Sequence, residues 1–471
     1  MNALTRDLEK LVREKEKETG LGRFRQKLHL MPPTGWLNDP NGLCQFDNVY
    51  HAFFQYSPFD VNGGVKMWGH YISHDLTDWE YRGTALYPDQ PFDCHGVYSG
   101  CAYVEHGTMY LYYTGNVKHE DGDYDYILTG REGNTVLVTS ADGHTFSEKK
   151  LLMKNEDYPS DLSCHVRDPK VWKQDGRYYM IQGVRTKEDV GEAQIFVSED
   201  KWNWKPGKRI RTEEPFGYMW ECPDYMKIGN RKIFSASVQG LTGDEWKERN
   251  VYQSGYFFVE GDLLSDYELS EYHLWDYGFD YYAPQSFQDK NGRTILIGWM
   301  GMPDCEEYGN TPAAAEGWQH CFTFPREVFE KDGKVYQRPV RELDTRKQLW
   351  KAKADTLKEE DLSVFEVNVT EILNNDFHAV LAEKLVLEYK DREFRMYFTE
   401  QNKDSVSGGR SIRRKTVEKL EDVKVLGDVS SVEVFLNGGE VVFSTRYYPE
   451  NYSVEINAKG AKIEIFTIRG I

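Results

Sequence analysis

Met31-Pro32-Pro33-Thr34-Gly35-Trp36-Leu37-Asn38-Asp39-Pro40-Asn41-Gly42 sets one carboxylate between turn-formers and beside an indole. Pro40 restrains Asp39 to extended backbone, and Asn41-Gly42 is a strong turn signal. A carboxylate restrained on both sides is held in one direction. Taken alone, the segment also reads as a capped surface turn. The pattern downstream separates the two readings.

Working outward, short β-like runs alternate with Gly, Asn and Asp. One unit recurs five times: a strand, a turn on Gly or Asn, and a returning aliphatic or aromatic strand. The returning strands are Val49–Gln55, Met109–Thr114, Tyr178–Gln182, Lys232–Ala236 and Thr294–Trp299, after turns at Asn48, Gly107, Gly176, Asn230 and Gly292. Strand-rich repeats of roughly 60 residues predict propeller blades. A second repeat, Ser-x-Asp-x-x-x-aromatic, occurs at Ser73/Asp75/Trp79, Ser140/Asp142/Phe146 and Ser198/Asp200/Trp204. A ligand loop is one reading. An outer-strand turn within each blade is the better one, because the pattern recurs where nothing else catalytic does.

The strands preceding the five turns begin near Asn38-Asp39-Pro40, Tyr98-Ser99-Gly100, Arg167-Asp168-Pro169, Glu221-Cys222-Pro223 and Tyr282-Ala283-Pro284. In a propeller the innermost strands start at one end of the central channel, so these five groups converge on one small volume. Pro and Gly beside them suit tight entrances. Beyond Arg326 the pattern changes. Leu343–Glu360 is rich in Lys and Glu and reads as a linker with some helix, followed by alternating strands and a tight hairpin turn at Asn437-Gly438. The expected fold is all-β: a five-bladed β-propeller followed by a C-terminal β-sandwich. The expected divisions are a helical lead-in over residues 1–26, the propeller over 27–340, a linker over 341–360 and the sandwich over 361–471. Leu4, Leu8, Leu11 and Val12 give the lead-in its helical spacing.

Composition narrows the function. The 39% hydrophobic and 29% charged content describes a globular chain, and 31 Tyr with 12 Trp supply flat faces for stacking on sugars. A net charge of −19 argues against nucleic acid or anionic membrane as partner. No apolar run approaches the ~18 residues of a membrane span, and residues 1–26 lack the apolar core of a signal peptide. Seven cysteines without a close Cys-x-x-Cys pair point to the reducing cytoplasm. A monomer or homodimer is expected.

If the entrances meet, the channel mouth holds Asp39, Asp168 and Glu221 with Arg167 and the aromatics Trp36, Trp68, Tyr98, Trp220, Tyr282 and Trp299. A Ca²⁺ or Mg²⁺ site wants several oxygen ligands, and Arg167 opposes a cation. Glycoside cleavage wants two carboxylates flanking the bond, one ionised and one protonated, and crowding of like charges supplies the protonated one. The glycosidase reading is favoured, with neither metal nor cofactor.

The motifs Trp36-Leu37-Asn38-Asp39-Pro40-Asn41-Gly42, Arg167-Asp168-Pro169 and Glu221-Cys222-Pro223 resemble, in order and spacing, those of glycoside hydrolase family 32, the family of invertases, fructanases and sucrose-6-phosphate hydrolases. Phe54-Gln55-Tyr56, Trp68-Gly69-His70, Tyr98-Ser99-Gly100, Tyr282-Ala283-Pro284-Gln285, Pro325-Arg326-Glu327 and the late Ser431-Val432-Glu433-Val434-Phe435 extend the resemblance from about residue 27 to the end. It implies a retaining mechanism on a terminal β-D-fructofuranosyl unit, with the two carboxyl groups roughly 5–5.5 Å apart. Asp39 would be the nucleophile and Glu221 the acid/base. Asp168 would hold fructose hydroxyls and favour the oxocarbenium-like transition state. Asn38, Gln55, Trp68, Ser99 and Arg167 would line the fructose subsite, and Tyr98, Cys222, Tyr282, Trp299, Trp318 and His320 complete the expected substrate-binding set.

Two departures and one distractor matter. Tyr98 stands where the family often has Phe, and Gly317-Trp318-Gln319-His320-Cys321 is similar to the sucrose-6-phosphate hydrolase branch. There a phosphorylated leaving group needs cationic or donor groups outside the fructose pocket, and His320 is a candidate. Asp121-x-Asp123-x-Asp125 with Glu132 imitates a calcium loop, but Tyr126 stands where such a loop needs Gly, so a solvated loop is expected. The substrates expected are sucrose, sucrose-6-phosphate or short fructo-oligosaccharides. The rivals are a fructosyltransferase with the same site and a non-catalytic carbohydrate-binding propeller, which has no need of Asp39 and Glu221 together.

Overall fold

The computed structural model describes residues 3–243, 249–372 and 376–469. Five antiparallel sheets precede one larger strand assembly. The first strand of each sheet is β1 (Gly35–Phe46), β2 (Val97–Glu105), β3 (Leu162–Gln174), β4 (Met219–Ile228) and β5 (Tyr282–Gln288). Each pairs with the returning strand of its own sheet. Each also packs against the inner strand of the next sheet, and β5 returns to β1. That ring is a five-bladed propeller, closed where Trp318-Gln319 pairs in parallel with Gly35-Trp36.

The turn chemistry explains the blades. Asn48, Gly107, Gly176 and Gly292 turn with positive φ; in the fourth blade Gly229, not Asn230, takes that conformation. In the Ser-x-Asp repeats, Asp75, Asp142 and Asp200 each accept two backbone N–H bonds at 2.6–2.9 Å. The preceding Ser hydroxyls accept a further one. These turns join the third strand to the fourth in blades I to III, so the recurring pattern is architectural.

All five inner strands break register at equivalent places: Leu37/Pro40, Val97/Gly100, the Arg167–Lys170 step, Glu221/Asp224 and Tyr282/Gln285. A bulge re-aims the side chains beside it. Asp39 stays in extended strand, whereas Asp168, Cys222 and Ala283, also before proline, have φ of 61°, 46° and 47°. Left-handed backbone at non-glycine residues costs about 1–3 kcal/mol each and persists where surroundings hold it. Blade packing is equally tight. A Cβ on Gly183 would lie 1.9 Å from the Trp220 carbonyl oxygen, so only glycine lets blade III approach the strand bearing Glu221.

Helix α1 (Ala3–Thr19) lies on blade I with Val12 buried and Leu8 packed beside it, while Leu11 stays exposed. The Leu4 side chain lies outside the described residues. The buried Glu9 accepts the Tyr87 hydroxyl at 2.7 Å.

The C-terminal strands form the β-sandwich around a core that includes Val367, Leu387, Phe394, Val434 and Ile465. One expectation fails here. Where a linker with some helix was read, Arg341–Thr345 is a single 3₁₀ turn and Lys347–Glu359 is strand β6, paired antiparallel along its length with β7 (Val454–Ile468). β6 is an edge strand with almost every side chain in solvent, so it carries no apolar alternation, and lysines guard its free edge.

Propeller and sandwich meet across a polar seam. Asp428 accepts backbone N–H groups of Lys27, Leu28 and His29, and His29 bridges Asp428 (2.9 Å) and Glu433 (2.8 Å) with no side-chain exposure. Glu433 also takes Arg326 at 2.5 Å and the Phe324 N–H at 2.7 Å. Arg326 reaches Asp276 at 3.2 Å, and Arg410 pairs with Asp280 at 2.7 Å.

Candidate active site

The channel has two mouths. The strand ends opposite the bulges, including Gln45, Val104, Lys173, Lys227 and Gln288, line a cavity of about 760 Å³. The bulge ends line another of about 530 Å³, walled by Trp36, Asn38, Asp39, Gln55, Tyr98, Ser99, Arg167, Asp168, Glu221, Tyr282 and Trp299. Every inner strand contributes to it. Three carboxylates crowd only the second mouth, and that composition identifies it as the candidate site.

Asp39 accepts the Ser99 hydroxyl at 2.5 Å on Oδ2 and the Asn38 amide at 3.0 Å on Oδ1. The Asn38 carbonyl oxygen is occupied by the Trp36 indole N–H at 2.7 Å, which turns its amide toward Asp39. Burial pushes Asp39 above the usual carboxylate range; Ser99 and Asn38 pull it back, Glu221 adds to the rise, and the Cys222 thiol opposes it.

Asp168 accepts the Cys222 backbone N–H at 2.9 Å, and its own N–H is anchored on Thr114 Oγ1 at 2.9 Å. Burial lifts it to about 7 against the pull of Arg167, with the Glu221 and Asp39 charges adding to the rise. A proton shared near neutrality among close carboxylates belongs to the group as a whole.

Glu221 is the most fully held. Oε1 accepts Arg167 Nε at 3.1 Å and Nη2 at 2.7 Å; Oε2 accepts Gln239 Nε2 at 2.8 Å and the Tyr282 hydroxyl at 2.7 Å. The same guanidinium lies 3.9 Å from Asp168 as well. Burial of these carboxylates, with their mutual repulsion added, is what keeps a proton available near neutral pH.

Five expected residues stand outside the pocket wall. Trp68 is fully buried beneath it, its indole N–H donated to the Tyr98 carbonyl at 3.0 Å. Trp220 is fully buried in the core, its indole N–H donated to the Phe216 carbonyl at 2.7 Å. Cys222 is buried with its thiol 3.7 Å from Oδ2 of both Asp39 and Asp168, a spacer between carboxylates. Trp318 is buried between the guanidinium groups of Arg25 and Arg446. His320 is buried behind Trp36 and Trp299, and burial holds it neutral, so it offers no charge to a phosphate. The acidic loop at Asp121–Asp125 closes on itself: Asp125 accepts the N–H groups of Ile127, Leu128 and Thr129.

Other lining residues were missed: Lys66, Arg131, Gln239, Asn62, Gly63, Pro303 and Asp304. A rule of topology could have found the first three. In an up-and-down blade the second strand ends, and the third begins, at the mouth where the first begins. Gln239 ends the second strand of blade IV, Arg131 opens the third of blade II, and Lys66 immediately precedes the third of blade I.

Comparison with known proteins fits this geometry. The family models for the glycosyl hydrolases family 32 N-terminal domain and C terminal match residues 29–339 and 377–469. The chain is 36% identical to the sucrose-6-phosphate hydrolase of Bacillus subtilis, over 95% of this chain and 94% of that one. It is 36% identical to the raffinose invertase of Escherichia coli, over 92% and 91%. The sucrose-6-phosphate hydrolase structure from Lactobacillus gasseri superposes with a TM-score of 0.86 at 25% identity, covering 100% of this chain and 97% of that one. The chain therefore belongs to glycosyl hydrolases family 32.

Proposed function

We propose that this protein is a retaining β-fructofuranosidase that hydrolyses a terminal β-D-fructofuranosyl unit from a sucrose-type substrate. The observation that carries the reading is the placing of Asp39 and Glu221 on bulges of different blades, facing one pocket and held by different donors. The Asp39 carboxylate forms a bond to the anomeric carbon as the glycosidic bond breaks. Its electron pair leaves with the glycosidic oxygen, which takes a proton from Glu221. Water then gives a proton to Glu221, attacks the same carbon and releases Asp39. Asp168, oriented by Thr114 and Cys222, would hold fructose hydroxyls. Asp39→Asn and Glu221→Gln, each folded, should lower kcat on sucrose or its phosphate by about 10⁴-fold or more; hydrolysis near the wild-type rate in either variant would overturn the assignment.

For the leaving group, two cations of the pocket support a phosphorylated disaccharide. Lys66 Nζ lies 4.8 Å over the Trp36 ring, and Arg131 lies 5.6 Å over Tyr98. Their polar contacts among the described residues are to Ser57 and Asn116, with no carboxylate in ion-pair reach. Burial lowers both, Lys66 to about 8. Partly desolvated cations with no carboxylate in direct contact suit an anionic ligand. The kcat/KM for sucrose-6-phosphate should exceed that for sucrose by at least tenfold, and Arg131→Gln should narrow the gap. Equal values would leave unphosphorylated sucrose or fructans as the substrate. Seven unpaired thiols fit a cytoplasmic site of action.

A further inference from the structure

Arg167 is a donor at every nitrogen and has no acceptor to offer. Two of its N–H edges serve Glu221 Oε1; the third nitrogen, Nη1, lies 2.6 Å from His165 Nδ1. His165 Nδ1 must therefore be the bare nitrogen of a neutral ring, with the hydrogen on Nε2. That hydrogen has a partner: His165 Nε2 lies 3.0 Å from the Tyr126 carbonyl oxygen. Burial, and next the Arg167 charge, hold the ring neutral.

The carbonyl that fixes this tautomer belongs to the acidic loop that resembles a calcium loop. Tyr126 has φ of 55°, a conformation held by its hydroxyl on the His119 carbonyl (2.9 Å) and by the Asp125 turn. The Cys164 N–H bonds the Ile127 carbonyl at 2.8 Å and ties the loop to β3, one residue before His165. A chain of contacts thus runs from the loop backbone through His165 and Arg167 to Glu221.

We propose that His165 is a positioning residue: as the Nε2–H tautomer, aimed by the Tyr126 carbonyl, it holds the Arg167 guanidinium on Glu221 and away from Asp168. The alternative for Arg167 is close by, since its Nε already lies 3.9 Å from Asp168 Oδ2. Without an acceptor at Nη1 the guanidinium is free to turn toward Asp168, leaving Glu221 with fewer of its donors. The inference rests on Glu221 being the acid/base.

Two isosteres separate the ring nitrogens. His165→Asn puts a side-chain carbonyl oxygen near the Nδ1 position, where it can accept from Arg167. His165→Gln puts an amide near the Nε2 position, where it serves only the Tyr126 carbonyl. The test compares these two with His165→Ala in the full chain, with Glu221→Gln run beside them and thermal unfolding confirming the fold. His165→Asn is expected within threefold of the wild-type kcat, with His165→Gln and His165→Ala lowered about 10–100-fold and KM within threefold throughout. Any other order overturns the proposal, whether all three variants match the wild type, all three fall equally, or KM alone moves. An active Glu221→Gln would instead overturn the reading of the acid/base, so the two failures are distinguishable.

Discussion

The channel mouth and the propeller–sandwich seam are both clusters of buried carboxylates, yet they are opposite in electrostatic character. At the seam, His29 and Arg326 stand among Asp428, Glu433 and Asp276, and backbone N–H groups satisfy the remaining lone pairs. Despite full burial, which pushes carboxylates up, Asp428 and Glu433 are held below the ordinary range by His29 and Arg326. At the mouth, Arg167 pairs with Glu221 and lies 3.9 Å from Asp168, and burial drives Asp39 and Asp168 up. Even the seam has one partial exception, Asp276, which burial lifts to about 6. Where cations and N–H groups in direct contact outweigh burial, a buried cluster locks two domains together; where burial outweighs its partners, protons become exchangeable and the cluster can do acid–base work.

Breaking the balance at the seam gives the largest expected effect. Glu433→Gln removes the shared partner of Arg326 and His29 without changing shape. Losing one member of a buried ion pair leaves a desolvated charge uncompensated, costing about 3–5 kcal/mol. Denaturant titration should show that loss, with KM of the remaining folded enzyme unchanged. A loss under about 1 kcal/mol would mean that Asp276 and Asp428 suffice to balance the seam.

The same contrast predicts a pH signature. Burial works to lower His29, but hydrogen bonds and charges from Asp428 and Glu433 overrule it and hold the ring at about 9. The unfolded value is near 6.5, so the folded state binds the proton more tightly. That stabilisation is complete below pH ~6.5 and is lost as pH rises through about 9. The gap in unfolding free energy between wild type and His29→Gln should be widest near pH 6, on the order of 3 kcal/mol, and close toward pH 10. A gap independent of pH would show His29 to be a neutral hydrogen bonder.

At the mouth, for residues around the two carboxylates that would break the bond, the expected effects are smaller and appear in rate. Ser99→Ala removes the 2.5 Å donor to Asp39. Burial already holds Asp39 high, and without Ser99 its charged form is less favoured still. The acid limb of kcat/KM should move to higher pH by about half a unit or more, with roughly a threefold loss on that limb. An unmoved limb would dissociate Ser99 from the ionisation of Asp39.

The mouth was far more legible in the chain than the seam. Its frame repeats, so Asp39, Ser99, Asp168, Glu221 and Tyr282 could be aligned by their distance from a turn. Lys66, Arg131 and Gln239 lie at other strand ends and carry no turn signal of their own, so only the direction of each strand places them. Trp68, Trp318 and His320 show the converse. An aromatic or imidazole ring suits a sugar pocket and a protein core equally well, and which face of the strand it occupies decides between them. His29 pairs with residues about 400 positions away, and nothing local marks it. β6 was illegible for a third reason: an edge strand in solvent has no apolar alternation to read.

The smallest effect probes the mouth's buried charge directly. Asp168→Asn keeps an oxygen to accept the Cys222 N–H, which in the wild type lies 2.9 Å from Oδ2, while removing a charge that burial opposes. In the wild type the folded value is about 7 and the unfolded value near 3.9. Between those values the folded state binds a proton that the unfolded chain has released, so stability falls as pH rises from about 4 to 7. Asn carries no such penalty. The variant should match the wild type in Tm near pH 4 and exceed it by about 1–3 °C at pH 8, although it loses the proposed transition-state contact and hence rate. A variant less stable at pH 8 than at pH 4, relative to wild type, would mean that Arg167 compensates Asp168 fully. The mouth would then be balanced like the seam, and its proton would have to be held elsewhere.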